Sequence, residues 1–368
     1  MGHQAYSRLN PDGLNQREVD FYDAFRRVVD HAVAARPDIL VHSGDLFDVV
    51  RPSNRAIAFA VEQVRRLQKA DVPFVVVSGN HEAPRLRETG SVFRILDGIP
   101  NVFASYRGEY ESLPVPTRGG RITIHAVPQA LEQSEFNAQL ALAAPNGNGA
   151  HLLVAHGTVS GVDGLFVGEL NELMIPHNAL RDDYDYIALG HFHNHRVLGR
   201  NAAYAGSTER TSFSEAIEDK VFLEVDVGAG SPKIHTRPTL ARPMRDAGVF
   251  DARGRNAQAV VDEATQRLDA VMQEGAIVRL RLVNLDPAIV RGLDTNAIRQ
   301  AALGALHLDL RLETLESQAS QQNLPDLGSL DAEFEAFLSA RPLPDVDRKR
   351  VAGLALGFLN AAGGTDAA

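Results

Sequence analysis

Twice in its first quarter the chain runs from an amphipathic stretch into a short apolar segment that stops at a glycine-led polar turn. From Arg17 to Arg36 the apolar residues Val19, Phe21, Phe25, Val28, Val29, Ala32 and Val33 recur at helical spacing, and Pro37 ends the pattern. Asp38-Ile39-Leu40-Val41 then reads as a strand. A second helix is predicted from about Asn54 to Lys69, and Pro73 to Ser78 follows as a buried strand. Arg121 to Val127, His151 to Ala155 and Tyr186 to Leu189 add further strands. Alternation of this kind commits the chain to an α/β architecture, in which ligands collect in the crevice beyond the carboxyl ends of the strands.

Four of these strand ends carry groups that can bind metal: Gly44-Asp45-Leu46-Phe47-Asp48, Gly79-Asn80-His81-Glu82, Ala155-His156-Gly157 and Gly190-His191-Phe192-His193. Taken alone, a Gly-Asp pair is a turn or a helix cap, a Gly-Asn-His-Glu run is a polar turn, and a single histidine is a satisfied core residue. Their order along one topology favours a shared site. Asp45 can bridge two cations through its two oxygens, and the small Gly44 lets the backbone come close. Asn80 offers a neutral carbonyl oxygen to metal. His81 is better suited to face a substrate as a general acid or transition-state stabiliser, since imidazole titrates near neutral pH. His156 suits a metal. His191 and His193 lie two apart and project to one side of an extended segment, so one can serve each of two ions. Asp48 is expected behind these ligands, orienting a histidine. His195 shares the parity of His191 and His193 but is read as a supporting or surface residue, while His31, His42, His125, His151 and His177 lack a motif partner and read as structural.

Composition narrows the chemistry. With no cysteine, metal binding falls to His, Asp, Glu and Asn, a set suited to manganese, iron or zinc. A net charge of -10 argues against a chain that coats nucleic acid nonspecifically, yet leaves room for a local basic groove. Arg51, Arg55, Arg85, Arg87 and Arg210 stand near the motif loops and are candidates for phosphate contacts. No run of eighteen apolar residues and no signal-like start is present, so a cytoplasmic location is expected. Two ions about 4 Å apart would hold a phosphate ester for in-line displacement, which makes phosphoester hydrolysis the expected reaction.

After Ser207 the pattern changes. Lys220 to Val227 and Pro232 to Arg237 resemble strands, and Pro243 to Glu313 mixes helices with strands, including Ala276 to Val283, as in a second and smaller α/β domain. Ser317 to Leu330 is polar and linker-like, and amphipathic helices are predicted near Asp331 to Ser339 and Val346 to Asn360. The apolar residues of these helices would serve equally as internal core or as a partner-binding hairpin.

The ordered motifs resemble the calcineurin-like metallophosphoesterase superfamily. Within it, Tyr22-Asp23-Ala24-Phe25, Gly44 to Asp48 with Arg51-Pro52-Ser53, Tyr186 to His193 and Ala205-Gly206-Ser207-Thr208-Glu209-Arg210 are similar to the SbcD family of DNA repair nucleases. The resemblance implies a metallophosphoesterase β-sandwich flanked by helices, with a small α/β capping domain and a C-terminal helical tail. It divides the chain into a nuclease domain at 1–238, a DNA-capping domain at 239–316, a linker at 317–330 and helices at 331–368. It further implies two manganese ions, with Asp45 bridging, Asn80, His156 and His191 on one ion, His193 on the other, and His81 catalytic. It implies 3′ to 5′ exonuclease and endonuclease activity on DNA, dimerisation and an SbcC-type coiled-coil ATPase partner. The family opens with a strand carrying Asp-x-His-Leu-Gly, and Met1-Gly2-His3-Gln4 aligns with the Leu-Gly end of it, so the first Asp and His are missing. The expectation is a true start upstream of Met1, the alternative a truncated chain of weak or no activity. Rival readings are a generic two-metal phosphatase and a noncatalytic adaptor of the ATPase.

Overall fold

A computed structural model describes residues 1–315, apart from 7, 87–88, 163, 165–167, 169–170 and 229, together with 350 and 353. The elements run α1 (Gln16–Ala35), β1 (Leu40–Ser43), α2 (Asn54–Lys69), β2 (Phe74–Val77), β3 (Val102–Ser105), β4 (Glu111–Thr117), β5 (Gly120–Val127), α3 (Gln133–Leu142), β6 (Ala150–His156), β7 (Thr158–Val159), β8 (Met174–Ile175), β9 (Tyr186–Gly190), β10 (Arg196–Leu198) and β11 (Ala202–Tyr204). There follow β12 (Val221–Asp226), β13 (Lys233–Pro238), β14 (Met244–Asp251), α4 (Ala257–Val271), β15 (Ile277–Leu285), α5 (Pro287–Gly292), α6 (Thr295–Ala301) and β16 (His307–Thr314).

Local chemistry sets the helix ends. The Asn15 side chain accepts from the Arg17 amide at 2.8 Å, which starts α1. Arg36 turns left-handed at φ 51° and its N–H returns to the Ala32 carbonyl, so α1 stops at Ala35, two residues before Pro37. Ser53 caps α2 by accepting from the Ala56 amide at 3.2 Å.

Two sheets stack face to face. β1, β2 and β3 form a parallel sheet with Leu40 opposite Phe74 and Phe74 opposite Val102. The second sheet has the order β10-β11-β9-β6-β5-β4, with parallel pairing from β11 to β5 and antiparallel strands at both edges. Alternation along β2 divides its side chains. Phe74 and Val76 join the core under α1 and α2, whereas Val75 and Val77 enter the core between the sheets with Leu152 and Val154 of β6. The other face of β6, Leu153 and Ala155, packs with Phe136 and Leu140 of α3. The layers are therefore helix, sheet, sheet, helix, and each fully buried Val or Leu contributes about 1.5–3 kcal/mol. This is the expected helix-flanked β-sandwich.

Several strands depart from the sequence expectation. β1 begins at Leu40 rather than Asp38, because the left-handed cap at Arg36 and Pro37 delay the extended backbone until it pairs with β2. β4 was not expected. It carries Pro114 and Pro116, residues that sheets tolerate only where a ladder hydrogen bond is not required, and it is one of the two edge strands of its sheet.

The chain resolves into two compact units, one of Met1–Gly248, Thr265–Leu280 and Asn296–Leu310, the other of Val249–Ala264, Arg281–Thr295 and the described residues of Arg311–Ala368. In the second unit Ala252, Val260, Ala264, Leu282 and Leu285 are fully buried. The expected linker at 317–330 lies outside the described residues, as do the expected helices at 331–368 apart from 350 and 353. Among the described residues no helix is long and apolar enough to cross a membrane.

Candidate metal centre

The carboxyl ends of β1, β2, β6 and β9 meet although they belong to two sheets. Glycine makes the approach possible. A side chain at Gly44, whose φ is +98°, would collide with the His156 ring, and one at Gly190 would collide with the Ser43 carbonyl. Asp45 and His191 are themselves left-handed, at φ 59° and 96°. For non-glycine residues this conformation costs about 1–3 kcal/mol, which the surrounding contacts must offset.

The result is a convergence of donor atoms. Asp45, His156 and His191 each present a ligand atom within 4.8 Å of the others. The Asn80 Oδ1 sits 2.9 Å from His156 Nε2 and 3.1 Å from His191 Nδ1, and Asp45 Oδ2 is 3.2 Å from His156 Nε2. His156 Nδ1 donates to the Ser43 carbonyl at 2.8 Å. A neutral imidazole that gives its proton there turns the Nε2 lone pair onto two oxygens, an arrangement that needs a cation between them. Burial lowers the His156 pKa, but the facing Asp45 carboxylate outweighs it and the net shift is upward. For Asp45, burial raises the pKa, while the His156 ring and the His81 amide hold it well below the usual carboxylate range. The donor set, one carboxylate, one amide oxygen and two imidazoles, fits a divalent transition metal.

Two of the three expected metal histidines, His156 and His193, have a ring nitrogen held by an oxygen, and the third, His191, faces a carboxylate at longer range. Ser43 holds His156; Glu172 Oε1 lies 3.5 Å from His191 Nε2; and Glu215 Oε1 lies 3.1 Å from His193 Nδ1. Such partners fix the ring and raise the basicity of the other nitrogen. His193 is not one of the three residues in the compact cluster with Asp45. It stands apart against Glu215 and Thr211, partly exposed.

His81 lies beside the cluster, its amide donating to Asp45 Oδ1 at 3.1 Å and its Nδ1 to the Asp48 carbonyl at 2.9 Å. The Asp48 carboxylate faces His3 Nδ1 at 3.1 Å. It is the Asp48 backbone oxygen, at shorter range than its side chain, that sets the His81 ring. Arg51 lines a cavity of about 500 Å³ with His3, Asp48 and Ser53. Arg55 is half exposed and reaches Glu18 at 3.3 Å, and exposed Arg85 bonds the Asn171 side chain. Arg87 lies outside the described residues. Arg210 is buried. Its guanidinium donates to the carbonyls of Glu215, Glu218, Ala241 and Arg242, so in this arrangement it braces backbone instead of facing solvent. His195 Nδ1 bonds the Tyr204 carbonyl, a structural contact.

Sequence reasoning assigned no role to Glu82, Glu172 or Glu215. Glu82 is fully buried, and its Oε1 accepts from the Asp45 and Gly79 amides at 2.9 and 3.0 Å, tying the first motif loop to the second. Burial, with the neighbouring Asp45 charge, pushes its pKa up to about 8. Its place inside the second motif was a usable signal. Glu172 comes from a loop and Glu215 from the end of a single 3-10 turn, and neither carries one.

A profile of the calcineurin-like phosphoesterase family matches residues 5–195, just over half of the chain. The chain is 29% identical over 205 residues to the DNA double-strand break repair protein Mre11 of Sulfurisphaera tokodaii, covering 53% of this chain and 50% of that protein. It is 28% identical over 229 residues to the Mre11 of Methanococcus maripaludis, covering 59% and 58%. With the Mre11 of Saccharolobus solfataricus it shares 29% identity over 257 residues, covering 67% and 62%. The chain thus spans about half to three-fifths of the length of these relatives. Two stacked sheets, glycine-led turns at their strand ends and the profile match lead to one assignment: the chain belongs to the calcineurin-like phosphoesterase family.

Proposed function

We propose that this chain is the nuclease subunit of an SbcD- or Mre11-type complex, hydrolysing DNA phosphodiesters at double-strand breaks with an SbcC-type ATPase. The observation that carries the reading is the meeting of Asp45, Asn80, His156 and His191 with lone pairs turned inward. Two manganese ions are proposed as cofactors, with Asp45 shared, Asn80, His156 and His191 on one ion and His193 on the other. Bound ions supply Lewis-acid polarisation of the phosphate ester and neutralise its charge. The protein's part is to orient. Ser43 and Glu215 hold the His156 and His193 rings, Glu172 faces His191, and Asp48 keeps the His81 lone pair on Nε2, the atom proposed to exchange a proton with substrate.

Exonuclease action from 3′ to 5′, endonuclease action, dimerisation and a cytoplasmic location belong to the same proposal. So does a DNA-capping role for 239–316. The relatives' printed names support break repair over a generic phosphatase.

The test is substrate choice combined with two variants. Manganese-dependent release of nucleotides from linear duplex DNA is expected, and cleavage of a phosphomonoester alone would favour a phosphatase. His81→Ala is expected to lower turnover on DNA by at least about 10²-fold while Mn2+ binding stays near normal. His191→Ala is expected to lose both. Equal metal loss in the two variants would contradict the assigned roles, and ATPase binding without any hydrolysis would favour the adaptor.

A further inference from the structure

Lys220, to which the proposed reaction gives no part, forms a buried ion pair with Glu215 beside His193. Both side chains are almost fully buried, at 1% and 4% exposure. Lys220 Nζ donates to Glu215 Oε2 and, at 2.8 Å, to the His193 carbonyl. Ser207 Oγ also donates to Oε2, at 3.1 Å. The opposite oxygen, Oε1, faces His193 Nδ1 at 3.1 Å and accepts from the Thr211 hydroxyl. His193 is therefore gripped at both its backbone and its ring by one ion pair. The Arg210 guanidinium anchors the Glu215 carbonyl at 3.2 Å, which keeps the acidic residue from retreating.

We propose that Lys220 is a positioning residue for His193: by taking one oxygen of Glu215 it turns the other toward Nδ1, fixing the Nδ1–H tautomer and leaving the Nε2 lone pair for a ligand. A carboxylate can satisfy both neighbours because both of its oxygens accept. A primary amide in the same place cannot, and the stronger demand of the ammonium for an oxygen would decide which way it lies. This inference rests on reading His193 as a metal ligand, but the proton on its ring can be located without metal.

The experiment is ¹⁵N NMR of the full chain with labelled histidine, in chelator and well above neutral pH, with the His193 signals assigned by a His193→Gln variant. The unaltered chain is expected to show the Nδ1–H tautomer at His193, and an Nε2–H tautomer there overturns the proposal with no variant needed. In Glu215→Gln the amide oxygen should turn to Lys220 and its NH2 to Nδ1, converting the ring to Nε2–H. The double variant Glu215→Gln with Lys220→Met removes the ammonium, frees the amide to turn back and should restore Nδ1–H. An unchanged tautomer in the single variant, or the same tautomer in single and double, overturns the role given to Lys220. A separate Mn2+ titration of the unaltered chain tests the metal reading itself. If Mn2+ binds, Glu215→Gln should weaken the site that uses His193 by about 10–100-fold.

Discussion

Glu82 shows how a cluster of donor atoms constrains a neighbour that is not part of it. Fully buried beneath Asp45, it uses one oxygen to hold two backbone amides, and burial keeps it protonated up to about pH 8. In the unfolded chain the same group ionises near 4.5. Its contribution to stability is therefore greatest below 4.5 and is lost as pH rises toward and through about 8, because over that window only the unfolded state releases the proton. Glu82→Gln keeps the accepting oxygen and removes the titration. In chelator, the decline in stability between those two pH values is expected to flatten in this variant, as followed by urea melts; an unchanged slope would assign the decline elsewhere. Gly44 is decided by space. Gly44→Ala puts a methyl group into the His156 ring at a φ of +98°, and a loss of more than about 2 kcal/mol is expected, together with loss of metal binding. Asp45, Asn80, His156 and His191 were legible because each follows an apolar strand and stands beside a glycine. Glu172 and Glu215 were not, since an acid that meets a histidine only through tertiary packing leaves no periodic trace.

Among the elements, those with a strong local pattern were read closely. α1 and α2 were placed to within a residue from their apolar spacing, and the structure adds the Asn15 and Ser53 caps that fix where they begin. β4, β10 and β11 went unread, one because prolines interrupt it and the others because three residues carry too little alternation. The β5 and β6 pair holds a feature that only pairing could produce. His125 Nε2 meets His151 Nδ1 at 3.0 Å across the two strands, and the Tyr110 hydroxyl meets His125 Nδ1 at 2.8 Å. Burial, then the neighbouring His151 and Arg181, push the His125 pKa down to about 4 from 6.5. The unfolded chain takes up a proton as pH falls below 6.5 while the folded chain does not, so stability is present above 6.5 and lost progressively toward 4. His125→Phe is expected to flatten that acid limb whatever it does to absolute stability, and an equally steep limb in the variant would sink the assignment. The sign is opposite to that of Glu82, so the two variants separate overlapping windows.

For the molecule as a whole, metal and folding should be linked. Ligands drawn from two sheets come together only in the folded chain, so Mn2+ at a hundred times its dissociation constant is expected to add about 2.7 kcal/mol to stability, reversed by chelator. Asp45→Asn should abolish the increment, and a melting curve indifferent to Mn2+ would count against the centre. The sequence by itself determined the alternation of helix and buried strand, the glycine-led turns and the residue types that can bind metal, because spacing, capping and backbone freedom act over a few neighbouring positions. Only the tertiary structure decided that β1 and β2 in one sheet face β6 and β9 in another, that Arg210 turns inward to backbone carbonyls, and that Glu82, Glu172 and Glu215 stand beside Asp45, His191 and His193. Asp45 to Glu82 and His156 to Ser43 join residues 37 and 113 positions apart, and even Glu172 and Glu215 reach their histidines only across an intervening strand or turn. No local preference selects such partners; burial of two sheet faces against each other does.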